Sequence, residues 1–224
     1  VLMDVALHRL PVTFVLDRAG VTGEDGSSHH GVWDLALLRV VPGMRLAAPR
    51  DGTRLRELLD EAVADDGPTA VRFPKGAIGA DVAAVDRLGG VDVLHRSSRR
   101  DVLLVTVGAL AADGVAAAVA LAGEGIGVTV CDPRWVSPVD PAVVALAAEH
   151  RAVVCVEDGV RGGGVGEAVA AALREAGVSR RTRVLGLPDS FLPHGSRADI
   201  LRMHDLDAAG IARTVARFLP GWAS

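Results

Sequence analysis

Apolar and polar positions alternate in blocks along the chain, and the period of each block predicts an element. Residues 1–10, VLMDVALHRL, place apolar side chains at 1, 2, 5, 6 and 10, close to one helical stripe. They read as the back half of a helix whose front half lies elsewhere. Residues 11–16, PVTFVL, form a largely apolar run ending at Asp17, which predicts a buried strand. A polar, glycine-rich loop, DRAGVTGEDGSSHHG, fills 17–31. A short helical segment follows over 34–38, then a strand over 44–48. Residues 51–64 predict an amphipathic helix with Leu55, Leu58, Leu59 and Val63 on one stripe, and 70–73 a strand ending in Pro74-Lys75-Gly76.

Residues 76–100 lose this clarity and read as linker, with strand character only at 91–95. Beyond them the alternation is cleaner. Strands are predicted at 102–107, 128–132, 152–157 and 183–186, and helices at 110–121, 141–149, 165–175 and 208–218. Continuous Val/Leu strands separated by helices predict an α/β fold, a mostly parallel sheet covered by helices. The expected division is 1–77, a linker over 78–100, and 101–224.

Composition narrows the class. Half the residues are apolar and the net charge is −4, with both signs scattered, so a disordered chain and a nucleic-acid face are both excluded. The longest apolar run, 102–112, is closed by Asp113, short of the ~20 residues a membrane span needs. Cys131 and Cys155 are far apart in strand-like runs and predict two reduced core thiols. No CxxC or HxxxH spacing suggests a metal site. The expected compartment is the cytoplasm.

In open parallel sheets ligands bind beyond the carboxyl ends of strands. Two such ends carry cations, Arg18 and Lys75, and Lys75 is the only lysine in the chain. On neighbouring strands they would converge and suit a phosphate; otherwise they are independent surface cations. The 17–31 loop adds Glu24, Asp25, His29 and His30, which suits anion binding and proton transfer, or simply a solvated loop. Glu157-Asp158-Gly159 followed by GGGVG (162–166) resembles a phosphate cradle at a helix start, though a tight turn explains it better. In PDSFLPHG (188–195), His194 reads as a turn or capping residue ahead of a functional one.

Taken together, VTFVLDRAGVTGEDGSSHHG (12–31), PRDGTRLRELL (49–59), VRFPKG (71–76), VCVEDGVRGGGVG (154–166) and GLPDSFLPHG (186–195) resemble one family in order over the whole chain. It is that of the 1-deoxy-D-xylulose-5-phosphate synthases. The resemblance implies the C-terminal half of a pyrimidine-binding domain, then a transketolase C-terminal domain. It implies thiamine diphosphate and Mg2+ as cofactors of the complete enzyme, and pyruvate and D-glyceraldehyde 3-phosphate as substrates. Arg18 and Lys75 would hold the aldehyde's phosphate, with Lys75 standing where many relatives carry arginine. Asp25 would meet the substrates near the thiazolium, and His29, rather than His30, would be the catalytic histidine. The family's diphosphate- and metal-binding domain and its activating glutamate have no counterpart here. The chain is therefore expected to hold no cofactor alone and to act with a complementary polypeptide, in a homodimer. The alternatives are a transketolase-like or 2-oxo-acid dehydrogenase β-type subunit, or a non-catalytic dimerisation fragment.

Overall fold

The computed structural model describes residues 1–219. A single helical turn at Leu2–Ala6 stands where half a helix was expected, and Ala6 is its one buried residue. Then come β1 (Thr13–Leu16), α1 (Asp34–Leu38), β2 (Arg45–Ala47), α2 (Gly52–Val63), β3 (Thr69–Arg72), β4 (Asp86–Leu88), β5 (Val91–Arg96) and β6 (Val102–Thr106). The chain continues through α3 (Ala111–Gly123), β7 (Val128–Asp132), β8 (Trp135–Ser137), α4 (Pro141–Ala148), β9 (Ala152–Val160), α5 (Val165–Glu175), β10 (Arg181–Leu187), α6 (Arg197–Met203) and α7 (Ala208–Phe218).

The strands form two sheets, in the orders β1-β3-β2-β8 and β10-β9-β6-β7-β5-β4. Within the first, β1, β3 and β2 are parallel. In the second, β10, β9, β6 and β7 are parallel, and β5 and β4 add an antiparallel edge. Every residue of β6, β7 and β9 is buried. That is why they are rich in Val and Leu, each such side chain contributing about 1.5–3 kcal/mol of burial. Cys131 and Cys155 are free and fully buried on β7 and β9. Among the described residues no helix is long and apolar enough to cross a membrane.

Side-chain caps define most helix starts. The Asp51 carboxylate accepts the Arg54 N–H at 2.7 Å, Asp140 that of Ala142 at 2.8 Å, and Asp207 that of Gly210 at 2.9 Å.

Two features depart from the expected layout. The segment read as linker, 78–100, holds the strand expected at 91–95 as β5 and adds β4 before it, the two forming a hairpin turned by Gly89-Gly90 with Gly89 at φ +57°. The second departure is β8, which leaves the second segment and pairs antiparallel with β2 of the first sheet. Trp135 seals that junction. Its indole N–H donates to Glu61 at 2.7 Å, and the Arg45 guanidinium lies 4.0 Å over its ring.

Candidate functional site

The sheet order itself brings the two cations together. Strands β1 and β3 are neighbours, with Leu16 opposite Arg72, and the Ala19 N–H donates to the Phe73 carbonyl at 3.1 Å. The segments leaving both strands therefore run side by side. Arg18 Nη1 donates to Asp25 Oδ2 at 3.0 Å, and Lys75 Nζ to both Asp25 oxygens at 2.9 and 2.8 Å. The hydrogen bond from Lys75 does most to hold the Asp25 carboxyl below its ordinary range. Burial opposes this, and the charges of Lys75, Arg18 and His29 add to the lowering. All three groups stay solvent-accessible, with 54% of the Arg18 side chain, 44% of Lys75 and 24% of Asp25 exposed. A cleft of about 440 Å³ opens beside them, lined by Asp17, Arg18, Phe73, Lys75 and the first residues of α2.

The loop carrying Asp25 is pinned at both ends. The Gly20 and Gly31 backbones exchange hydrogen bonds of 2.8 and 2.9 Å. Further along, Ser27 Oγ donates to the Leu192 carbonyl at 2.5 Å, and Arg197 Nη1 to the Val21 carbonyl at 3.0 Å. His194 packs on Gly26 so closely that a Cβ there would sit 2.6 Å from its ring. The 188–197 segment thus clasps the loop, a role the sequence left unassigned. The two loop histidines differ sharply. His29 is exposed, with Nδ1 3.0 Å from Ser28 Oγ. His30 is buried, and its Nδ1 accepts the Thr22 N–H at 3.0 Å. When His30 is neutral, that bond leaves the ring proton on Nε2, which is buried without a partner among the described residues.

Below the loop, a buried ionic chain ties the two sheets. At the end of β3, Arg72 donates from Nε to Asp34 at 2.9 Å and from Nη1 to Asp158 of β9 at 2.5 Å. Arg197 closes the chain on the other Asp158 oxygen at 2.6 Å. Burial alone would raise the Asp158 carboxyl, but Arg72 and Arg197 overcome it and hold it at about 2. A second cluster joins Arg50 to Asp92 and Asp132, both at 2.7 Å, and burial pushes Asp132 up to about 6.

The glycine-rich turn at 162–166 is already filled. Glu157 accepts the Val165 and Gly166 N–H groups, both at 2.9 Å, so the amides that would cradle a phosphate hold an internal carboxylate. Burial pushes that carboxyl up to about 7 against the pull of the two amides.

Comparison with known proteins separates the chain into two matches. Residues 1–80 match the transketolase pyrimidine binding domain, and residues 89–211 the transketolase C-terminal domain. The chain belongs to the transketolase family. Within that family, a protein of Clavibacter sepedonicus named 1-deoxy-D-xylulose-5-phosphate synthase is 60% identical over 96% of this chain. One of the same name from Leifsonia xyli subsp. xyli is 61% identical over 95%. The chain spans about a third of the length of these curated relatives, 33% in both cases. The resemblance drawn from the sequence motifs is thus borne out. Among transketolase structures, a split-gene transketolase solved as an inactive β4 tetramer superimposes with a TM-score of 0.86 at 28% identity, covering 97% of this chain and 70% of that one. The transketolase of Campylobacter jejuni shares the fold, with a TM-score of 0.74 at 19% identity over 92% of this chain and 31% of that one.

Proposed function

We propose that this chain is the phosphate-gripping part of a 1-deoxy-D-xylulose-5-phosphate synthase. The complete enzyme joins pyruvate, with loss of CO2, to D-glyceraldehyde 3-phosphate. The product serves isoprenoid, thiamine and pyridoxal synthesis. The observation that carries this reading is the meeting of Arg18 and Lys75 on one carboxylate, at 3.0 and 2.8 Å, at the rim of a cleft. Two cations that reach one carboxylate suit a doubly charged phosphate, and gripping it orients the aldehyde at the far end of a three-carbon substrate. His29, exposed beside Asp25, is placed to exchange a proton with the hydroxyl that forms there.

Thiamine diphosphate, when bound to the complete enzyme, supplies the electron sink for decarboxylation. Among the described residues no group of three or more His, Cys, Asp or Glu side chains lies together to hold a metal ion. In this proposal the diphosphate's Mg2+ and its donors belong to a complementary polypeptide, within a cytoplasmic homodimer. A second reading, a subunit of a split transketolase, draws on the split-gene structure that the chain overlays over 97% of its length. Pyruvate as the two-carbon donor separates the first reading from the second, which uses a ketose phosphate.

The test mixes this chain with a polypeptide carrying the rest of the relatives' length and follows CO2 release from pyruvate. Arg18→Ala removes a charge-assisted contact of about 1.5–3 kcal/mol. It should raise KM for the phosphorylated aldehyde roughly tenfold to a hundredfold while leaving that for pyruvate in place. An unchanged KM for the aldehyde refutes the phosphate role.

A further inference from the structure

We infer that Asp25 is a built-in competitor for the anion site formed by Arg18 and Lys75, and that it sets the site's specificity by excluding singly charged carboxylates. The inference rests on the phosphate reading of that cation pair. Lys75 has three ammonium protons, and Asp25 engages it through both oxygens, at 2.9 and 2.8 Å. Asp25 Oδ2 also takes the hydrogen bond from Arg18 at 3.0 Å. An incoming anion finds part of this donor set, one Arg18 N–H and two of the three Lys75 protons, already engaged.

The contrast with the other internal carboxylates is informative. Glu157 and Asp158 also satisfy groups that could bind an anion, but they are 0% and 2% exposed and belong to the core. Asp25 is accessible, its partners are more so, and exposed ion pairs of this kind are weak. Asp25 is thus held firmly enough to compete and loosely enough to leave.

Charge decides which anion displaces it. Two cations and one carboxylate leave a net charge of +1 at the pair. A free carboxylate offers the two cations the same single charge as Asp25. It also loses translational freedom on binding, which a tethered side chain does not. A free carboxylate therefore cannot win. A phosphate brings nearly two charges and three acceptor oxygens, enough for both cations at once. An enzyme that handles a carboxylate and a phosphate side by side gains a subsite that only the phosphate occupies.

The experiment measures binding of inorganic phosphate and of acetate to this chain by titration calorimetry, at about pH 8 where phosphate is mostly doubly charged. The proteins are wild type, Asp25→Asn, Asp25→Ala, Arg18→Ala and the double variant Arg18→Ala/Asp25→Asn, each checked for native circular dichroism. The expected result is phosphate binding at least fivefold tighter in both Asp25 variants. Acetate binding should be measurable only in those variants, and the gain lost in the double variant. If Asp25 instead contacts the ligand or holds the cations in register, its removal weakens phosphate binding. Weaker or unchanged phosphate binding in the Asp25 variants, with Arg18→Ala still impaired, overturns the inference and leaves the phosphate site standing. Phosphate binding that is insensitive to Arg18→Ala, or absent from wild type and Asp25 variants alike, overturns both.

Discussion

Replacing Asp158 with asparagine keeps the shape of the side chain and removes the charge on which Arg72 and Arg197 converge. The carboxyl moves from an ordinary 3.8 to about 2 on folding, which corresponds to roughly 2.5 kcal/mol of stabilisation of the ionised form. Asp158→Asn also leaves Arg72, only 4% exposed, with Asp34 as its remaining carboxylate. Stripping one partner from a buried pair costs about 3–5 kcal/mol. The lower figure is expected here, because Asp34 still neutralises the guanidinium. For a chain of this size, about 3 kcal/mol lowers Tm by roughly 6–12 °C. The assay is thermal and urea unfolding at pH 7, followed by the fluorescence of Trp33 and Trp135. Its acid limb carries a second signature. A depressed carboxyl contributes stability that is present above its unfolded value and lost as pH falls through its folded value. Wild type should therefore lose about 2.5 kcal/mol as pH falls from about 5 to about 1, most of it between pH 4 and 2, that Asp158→Asn has already lost. A cost below about 1 kcal/mol at pH 7, or parallel acid limbs, refutes the claim that this ionic chain ties the sheets together.

Glu157 works in the opposite direction. Its carboxyl rises from 4.5 to about 7 on folding, so its contribution is present at low pH and is lost as pH rises through that window. Asp132, raised from 3.8 to about 6, adds a loss of the same sign at lower pH. Stability should fall from pH 5 to pH 8, and Glu157→Gln should flatten the upper part of that fall; a pH series of Tm decides. Gly20→Ala puts a Cβ 2.1 Å from the Asp158 carboxylate at a residue with φ +70°, and should cost at least about 2 kcal/mol in urea unfolding.

Much of this was legible because burial and periodicity coincide. The Val/Leu runs of β6, β7 and β9 could only be strands covered on both faces. Arg18 and Lys75 stood at strand ends, where a parallel sheet gathers its ligands. The convergence of those two cations needed one further fact, that β1 and β3 are neighbours, and periodicity does not order strands. Residue types and spacing offered three acids near the cations, Asp17, Glu24 and Asp25, and only the family resemblance singled out Asp25. Strand character at 91–95 is legible and is β5, but β4 is not, although Leu88-Gly89-Gly90-Val91 is a two-residue turn signal, because the surrounding charges mask the alternation. β8 spans three residues, too few for any period to show. For α6 a sign was present, since Ser196 accepts the Asp199 N–H at 3.1 Å in a Ser-x-x-Asp start.

The placement of Trp135–Ser137 bears on how the chain divides. The two family matches meet between residues 80 and 89, which invites a cut there. Such a cut would strip β2 of its outer neighbour and leave the backbone of Arg45–Ala47 bare, a template for sticking to other chains. Extending the piece to Ser137 keeps β8 on β2 but bares β6, whose partner β9 lies further on with Asp158, so neither cut leaves two closed sheets. Evolutionary modules and foldable units part company here, and anyone dissecting the chain should cut by hydrogen bonds rather than by homology.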